Sequence, residues 1–217
     1  MGYQGVANIF SQISRIYDKF LNFATMGQVH RWQRELIAEM NPDGNWLDVG
    51  TGTGEVLRKI PQKNICVGID PAMGMLSVAK AKCPQCFFVQ ALGENLPFGE
   101  GVFKNITLSL VFRHLQDKEA FVREAHRVLK EGGKVGLIDI GRFKGTGALL
   151  FLMRTLFKPL GLIIFGKEKW DFFVHSVEES YTLDEVLKMF REAGFEESYS
   201  GRRFLGIVHI VVVSKTA

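Results

Sequence analysis

Cysteine is scarce in this chain, and its first residues lack the features of a signal peptide. Cys66, Cys83 and Cys86 are an odd number of thiols among 217 residues, which does not suit a secreted disulfide framework. A charged head, an apolar run and a small-residue cleavage site are missing, because polar residues interrupt the N-terminus at Gln4, Asn8, Ser11, Gln12 and Ser14. We therefore expect reduced thiols and a cytoplasmic protein.

A block of basic residues is missing as well. Lys and Arg number 27 against 23 acidic residues, and they are scattered, so the net charge of +4 gives little reason to expect a nucleic-acid partner. The Cys83-x-x-Cys86 pair lacks the second half-site that zinc would need, and it lies between a helix and a strand, away from the strand ends where ligands bind. No metal site is predicted.

The sequence does contain an alternation of helices and strands. Residues 6–40 read as helical, and five short apolar runs follow at 46–49, 65–69, 87–89, 105–110 and 134–140. Between these runs, helices are predicted at 55–60, 72–82 and 118–129. Thr182 and Glu185 form a capping box for a helix that ends before Gly194, and a hairpin closes the chain. This order predicts a parallel α/β sheet.

A glycine loop follows the first strand directly. Gly50-Thr51-Gly52-Thr53-Gly54 lacks the Gly-Lys-Ser/Thr ending that grips a nucleoside triphosphate. Its spacing also differs from a dinucleotide loop, and Glu55 would repel a pyrophosphate at that point. A phosphate-free cofactor with a cationic centre suits the loop better. The sequence therefore predicts S-adenosylmethionine, with S-adenosylhomocysteine as the product.

Asp70 ends the next strand, about twenty residues after the loop begins. At that place a carboxylate accepts hydrogen bonds from ribose hydroxyls, so Asp70 is predicted to hold the cofactor ribose. The alternative is that the glycines form only a tight turn and that Asp70 only caps the helix from Ala72 onward.

Several segments together resemble the class I methyltransferases and, within them, the ubiquinone/menaquinone biosynthesis C-methyltransferase family. They are LDVGTGTGE, GIDPAMGMLSVAK, ENLPF, HRVLKEGGKV and EAGF, with weaker matches at the N-terminal YDKF...MG...HRW and at HSVEES. The resemblance implies a doubly wound, mostly parallel seven-stranded sheet in one domain. We expect a helical N-terminal cap (1–42), a cofactor-binding core (43–142), an apolar helical insertion (143–180) and a C-terminal helix with hairpin (181–217).

The resemblance also implies roles for individual residues. Thr53 corresponds to the loop threonine that contacts the cofactor, and Ser109 corresponds to the residue that faces it from the fourth strand. Leu92 stands where the family has a polar residue beside the adenine; leucine can only pack, so backbone groups or Gln90 would have to substitute. The predicted cofactor site comprises Asp48, Gly50, Thr51, Gly52, Thr53, Asp70, Pro71, Leu92, Gly93 and Ser109.

Arg113, His114 and Tyr17 are the candidate catalytic residues. Arg113 could stabilise a phenolate, and His114, which replaces the family's asparagine, could act as a base or could be a hydrogen-bonded turn residue. Tyr17 and Asp18 match the N-terminal motif and could line the acceptor pocket, with a helix-surface pair as the alternative.

The apolar segment 145–165 leaves several functions open. Arg154, Lys158, Pro159 and Gly161 break it, so it falls short of the about twenty apolar residues of a membrane span. A lid over an apolar substrate, a surface that rests peripherally on a membrane, a helix pair buried against the sheet and a homodimer contact all remain.

The leading hypothesis is methyl transfer to an apolar small molecule, such as a ring carbon of a prenylated quinol. The alternatives are an O- or N-methyltransferase of a small metabolite or lipid, and a non-catalytic cofactor-binding assembly partner.

Overall fold

The computed structural model describes Gly5, Phe10, Ser11, Asp18, Lys19 and residues 21–216, and the side chain of Phe165 is not described. Within this part of the chain the strands are β1 (Trp46–Val49), β2 (Cys66–Ile69), β3 (Phe87–Val89), β4 (Phe103–Ser109), β5 (Leu129–Ile140), β6 (Phe195–Arg203) and β7 (Val208–Lys215). The α-helices are α1 (Gln28–Ala38), α2 (Met73–Lys82), α3 (Lys118–Val128), α4 (Thr146–Arg154), α5 (Lys158–Phe165), α6 (Lys167–Glu178) and α7 (Leu183–Glu192).

The seven strands form one sheet in the order β3-β2-β1-β4-β5-β7-β6. β1 to β5 are parallel, and β7 runs antiparallel between β5 and β6. All four residues of the central strand β1 are buried, as expected for a parallel strand covered on both faces. The predicted doubly wound, mostly parallel seven-stranded sheet is confirmed.

Apolar side chains pack on both faces of the sheet. Leu47 of β1 belongs to a core with α3 and α7, whereas its neighbour Trp46 belongs to the opposite core with α1. Alternate strand residues therefore bury helices on opposite sides. α7 begins with the predicted capping box, in which Thr182 Oγ1 accepts from the Glu185 N–H and the Glu185 carboxylate accepts from the Thr182 N–H.

The helix predicted at residues 55–60 is wrong. The structure has only a 3₁₀ turn there, Leu57–Lys59. Pro61 explains the difference, because a residue before proline avoids helical backbone, and Ile60 is extended with ψ 136°.

The segment predicted as an apolar insertion forms α4, α5 and α6. Trp170 and Val174 of α6 pack with Leu150, Met153 and Leu162, and Gly161 allows this approach because a β-carbon there would overlap the Trp170 ring. α4 has no buried residue, so the interpretation of a helix pair buried against the sheet is wrong. In the described part of the chain no single helix is long and apolar enough to cross a membrane, and the bent pair 146–154 and 158–164 passes only by combined length and composition.

Candidate functional site

A cavity that is open to solvent lies where β1, β2 and β4 end. Its lining includes the ten residues predicted for the cofactor site: Asp48, Gly50, Thr51, Gly52, Thr53, Asp70, Pro71, Leu92, Gly93 and Ser109. The parallel strands bring these residues together because their carboxyl ends meet at one edge of the sheet.

The glycine loop brings backbone close to this cavity. Gly50 has φ 63°, and a β-carbon at that position would lie 2.5 Å from Val111 Cγ2. Any other residue would be strained in conformation and would also collide with the loop after β4. The loop is thus a cradle that a side chain at Gly50 would disrupt.

Asp70 holds this loop from the end of β2. Its Oδ2 accepts from the Gly52 N–H at 2.9 Å, and its Oδ1 accepts from the Ala72 N–H at 2.8 Å. Burial raises the pKa of Asp70 to about 6, although the two backbone N–H groups oppose that shift. Asp70 therefore caps the residues before α2 and also lines the cavity, and each oxygen keeps a lone pair for a ribose hydroxyl.

Asp48 is a second buried carboxylate in the lining. Its Oδ1 accepts from Thr107 Oγ1 at 2.7 Å, whereas Oδ2 has no hydrogen-bond partner among the described residues. Burial raises the pKa of Asp48 to about 6. A polar atom left unpaired in this way is costly unless it meets a donor.

Most of the charged side chains that line the cavity are acidic. Five carboxylates line it, those of Asp18, Asp48, Glu55, Asp70 and Glu94, and no lysine or arginine occurs among the described lining residues. Asp18 and Glu55 are paired with Lys82 outside the lining, which leaves Asp48, Asp70 and Glu94 without a basic partner among the described residues. A phosphate group would be repelled by such a lining, whereas a sulfonium and an ammonium would be attracted. This arrangement fits S-adenosylmethionine and argues against a nucleotide phosphate.

An N-terminal residue crosses to the glycine loop. Asp18 Oδ1 accepts from Thr53 Oγ1 at 2.6 Å, and Lys82 Nζ bridges Asp18 and Glu55. Burial disfavours the charged amine, but hydrogen bonds to the two carboxylates outweigh it and raise the pKa of Lys82. Asp18 thus ties the N-terminal cap to the cofactor cavity. Tyr17, the other residue of the predicted motif, lies outside the described residues.

The lining near Leu92 is apolar. Met75 and Leu115 line the cavity with Leu92, and a β-carbon at Gly93 would lie 2.9 Å from Val49 Cγ1. The Gln90 side chain donates to the Pro71 carbonyl at 2.9 Å and does not belong to the lining, so it does not replace the missing polar residue.

Sequence reasoning missed Gln33. This residue of α1 is buried and lines the cavity, where its Nε2 donates to Ser109 Oγ at 3.1 Å. Its Oε1 has no hydrogen-bond partner among the described residues. The only available signal was a glutamine among the apolar positions of a helix, and that pattern does not reveal what the helix packs against.

His114 lines the same cavity from the turn after β4. Its ring stacks on Phe172 of α6 with centroids 5.1 Å apart and meets Phe10 edge-on at 5.5 Å. Burial, with Arg113 and Lys118 nearby, lowers the pKa of His114 well below its usual range. Its Nε2 has no hydrogen-bond partner in the described part of the chain. The residue is therefore a neutral imidazole at physiological pH.

The Arg113 side chain contacts β5 instead of the cavity. Its guanidinium pairs with Asp139 of β5 and donates to the Leu110 carbonyl at 3.1 Å, and it does not line the cavity. The Arg113 N–H also donates to Asp139, at 2.9 Å. In this structure Arg113 holds the turn that carries His114, so the predicted contact between Arg113 and a phenolate is not formed by this geometry.

Metal ligands and reactive thiols do not mark this site. The described residues contain no group of three or more His, Cys, Asp or Glu side chains arranged to hold a metal ion. Burial raises the pKa of Cys66 to about 12 and that of Cys83 to about 11, which disfavours their thiolates.

Comparison with known sequences gives matches over nearly the whole chain. Residues 1–215 match the ubiE/COQ5 methyltransferase family. The chain is 31% identical to the demethylmenaquinone methyltransferase of Thermotoga maritima over 204 residues, which cover 88% of each protein. It is 30% identical to the ubiquinone/menaquinone biosynthesis C-methyltransferase UbiE of Rickettsia prowazekii, over 94% of this chain and 90% of that protein.

Solved structures share the fold. A SAM-dependent methyltransferase from Thermotoga maritima superposes with a TM-score of 0.68 at 20% identity, over 96% of this chain and 99% of that one. The [4+2]-cyclase SpnF gives a TM-score of 0.66 at 16% identity, over 87% of this chain and 81% of that one. Since a cyclase shares the architecture, the fold alone does not decide the reaction.

Proposed function

The chain belongs to the ubiE/COQ5 methyltransferase family and is a methyltransferase, and from this premise we propose that it methylates a ring carbon of a prenylated quinol with S-adenosylmethionine as donor. The observation that carries the cofactor assignment is the cavity itself, lined by five carboxylates and by no described lysine or arginine. Relatives named for demethylmenaquinone and ubiquinone/menaquinone biosynthesis support the choice of acceptor.

Each part of the cavity has a role in this proposal. Asp70 would accept from the ribose hydroxyls, and the glycine loop would lie against the methionine part. Leu92 and Met75 would pack against the adenine. When bound, the cofactor supplies an electrophilic methyl group on a sulfonium. The chain's own contribution is to align the two reactants and to exclude water.

Two buried acceptors are available for the quinol hydroxyls. Gln33 Oε1 and His114 Nε2 belong to residues that line the cavity, and neither has a partner among the described residues. Hydrogen bonding to them would orient the ring and direct electron density onto the carbon beside a hydroxyl.

Because burial lowers the pKa of His114, we infer that its imidazole accepts a proton late in the reaction. A weakly basic imidazole does not remove the proton of a neutral phenol beforehand. It takes that proton only as the new carbon–carbon bond makes the hydroxyl strongly acidic. The methylated carbon then loses its hydrogen while the oxygen regains a proton, which restores the aromatic quinol with a net release of one proton.

Calorimetry and product analysis on the purified chain test the proposal. We expect S-adenosylmethionine to bind with micromolar affinity, about 8 kcal/mol, and the Asp70→Ala variant to lose that binding. Asp43→Asn, at an exposed position, is the matched control. With a reduced demethylmenaquinone analogue, mass spectrometry and NMR should place the new methyl group on ring carbon. A methyl group on oxygen would assign an O-methyltransferase, and methylation of neither atom would refute the quinol acceptor.

A further inference from the structure

Among the described residues, an unusual surface is formed by the apolar helix pair, defined as α4 and α5 over residues 146–164. Its exposed large side chains are Phe151, Leu152, Leu156, Phe157, Leu160, Ile163 and Ile164, with exposed fractions from 39% to 82%. The two helices meet at 63°, and neither approaches the about twenty residues that would cross a bilayer. Large apolar side chains exposed in such number within one short segment mark an interaction site.

Positive charge surrounds the same segment. Residues 142–169 contain six basic side chains and one acidic one, whereas the rest of the chain carries 21 basic and 22 acidic residues. Lys144, Lys158 and Lys167 are exposed and form no salt bridge with another described residue. Arg142 and Arg154 pair with Glu185 and Glu178, so the unpaired positive charge beside the apolar helix pair is that of its lysines.

α6 connects this surface with the acceptor side of the cavity. Its Trp170 packs against the apolar helix pair, and its Phe172, two residues later, stacks on His114. A hydrophobic substituent on an acceptor bound near His114 would therefore lie one helix away from the exposed apolar side chains.

We propose that the apolar helix pair docks on an anionic lipid bilayer, from which the prenylated acceptor is taken. Exposed aromatic and aliphatic side chains would enter the headgroup region, while the lysines beside them would bind lipid phosphates. This inference rests on the proposed function, which supplies the lipid-tailed acceptor.

A second copy of the chain fits this surface less well than an anionic bilayer does. A twofold interface brings the same patch of each subunit together, so two basic borders would face each other. Protein interfaces are also depleted in lysine, whereas an anionic bilayer attracts it. Charge complementarity thus favours lipid.

Vesicle sedimentation with the full chain tests the docking. We expect binding to phosphatidylglycerol/phosphatidylcholine vesicles, weaker binding to phosphatidylcholine alone, and weakening by salt. Phe151→Gln/Ile163→Gln should lower the partition coefficient at least about tenfold, because two exposed apolar groups are lost. Ile65→Gln/Phe87→Gln is the matched control and should bind normally, because these side chains are also exposed but lie just before β2 and at the start of the edge strand β3.

Measurements of activity distinguish a failure of the docking proposal from a failure of the proposed function. The Phe151/Ile163 variant should keep wild-type kcat/KM on a soluble short-chain quinol and lose turnover of a long-chain quinol in vesicles. Equal vesicle binding by wild type and variant, or a wild-type dimer that this variant dissociates without any vesicle binding, would overturn the docking proposal. Vesicle binding without methylation of either quinol would overturn the acceptor assignment and leave the docking surface intact.

Discussion

Asp48→Asn changes the most deeply buried charge of the cavity while keeping its hydrogen bond. The amide oxygen can still accept from Thr107, and the amide nitrogen replaces the unpaired Oδ2. The folded protein raises the Asp48 pKa from 3.8 to about 6. At 1.36 kcal/mol per pKa unit, the wild type is therefore about 3 kcal/mol less stable when Asp48 is ionised in both the folded and the unfolded state than when it is protonated in both.

The pH window follows from the sign of this shift. The folded state binds the Asp48 proton more tightly than the unfolded state, so the stabilisation is complete below about pH 4 and is lost as the pH rises through 6. About half of the total, roughly 1.5 kcal/mol, is lost between pH 5 and pH 8. An asparagine has no such dependence, and the cost of burying its amide is the same at every pH.

Urea unfolding of both proteins at pH 5 and pH 8, without cofactor, measures this difference. We expect the free energy of unfolding of the variant, relative to that of the wild type, to rise by about 1.5 kcal/mol from pH 5 to pH 8. This change does not depend on how stable the variant is at either pH. Asp43→Asn, exposed before β1, should show no comparable change. A difference between Asp48→Asn and wild type that stays constant with pH would refute the argument that a desolvated carboxylate lies in this cavity.

Three further predictions concern the cofactor, the acceptor and the scaffold. Because ribose binding uses the ionised form of Asp70, whose pKa is about 6, cofactor affinity should be about tenfold lower at pH 5 than at pH 7 in calorimetry, and a flat profile would contradict this role. Gln33→Leu should raise the acceptor KM about tenfold and leave the cofactor Kd unchanged, since one hydrogen bond is lost; an altered Kd with a normal KM would assign Gln33 to the cofactor instead. Thr182→Ala should lower the free energy of unfolding by about 1 kcal/mol in urea melts with normal kcat, because the α7 capping box is lost, and an unchanged urea midpoint would show that the cap contributes little.

The cofactor side of the site could be read from sequence because its determinants are local. A strand, a glycine loop and an acidic residue at the next strand end are set by short-range pattern, and parallel strands leave one edge where they can meet. Ten predicted residues consequently line one cavity. The helix predicted at 55–60 failed on an equally local feature, Pro61, whose effect on the preceding residue was overlooked.

The acceptor side depends on contacts between distant parts of the chain. Arg113 pairs with Asp139, 26 residues later on β5, and the buried Gln33 donates to Ser109 on β4. Neither partner is visible in the spacing of the sequence around these residues. The exposure of α4 and α5 was equally unpredictable, because an apolar run looks the same whether it is buried or faces outward.

The contact between Asp18 and the glycine loop has a kinetic consequence. Spent cofactor has to be exchanged after every turnover, yet Asp18 lies on the cavity lining and is tied to Thr53 and Lys82. Release of Asp18 from Lys82 separates two oppositely charged groups that remain about one-third exposed to solvent, where dissolved ions weaken their attraction. The rate of cofactor exchange should therefore rise with ionic strength even though cofactor affinity falls, so the enzyme would work fastest at an intermediate salt concentration.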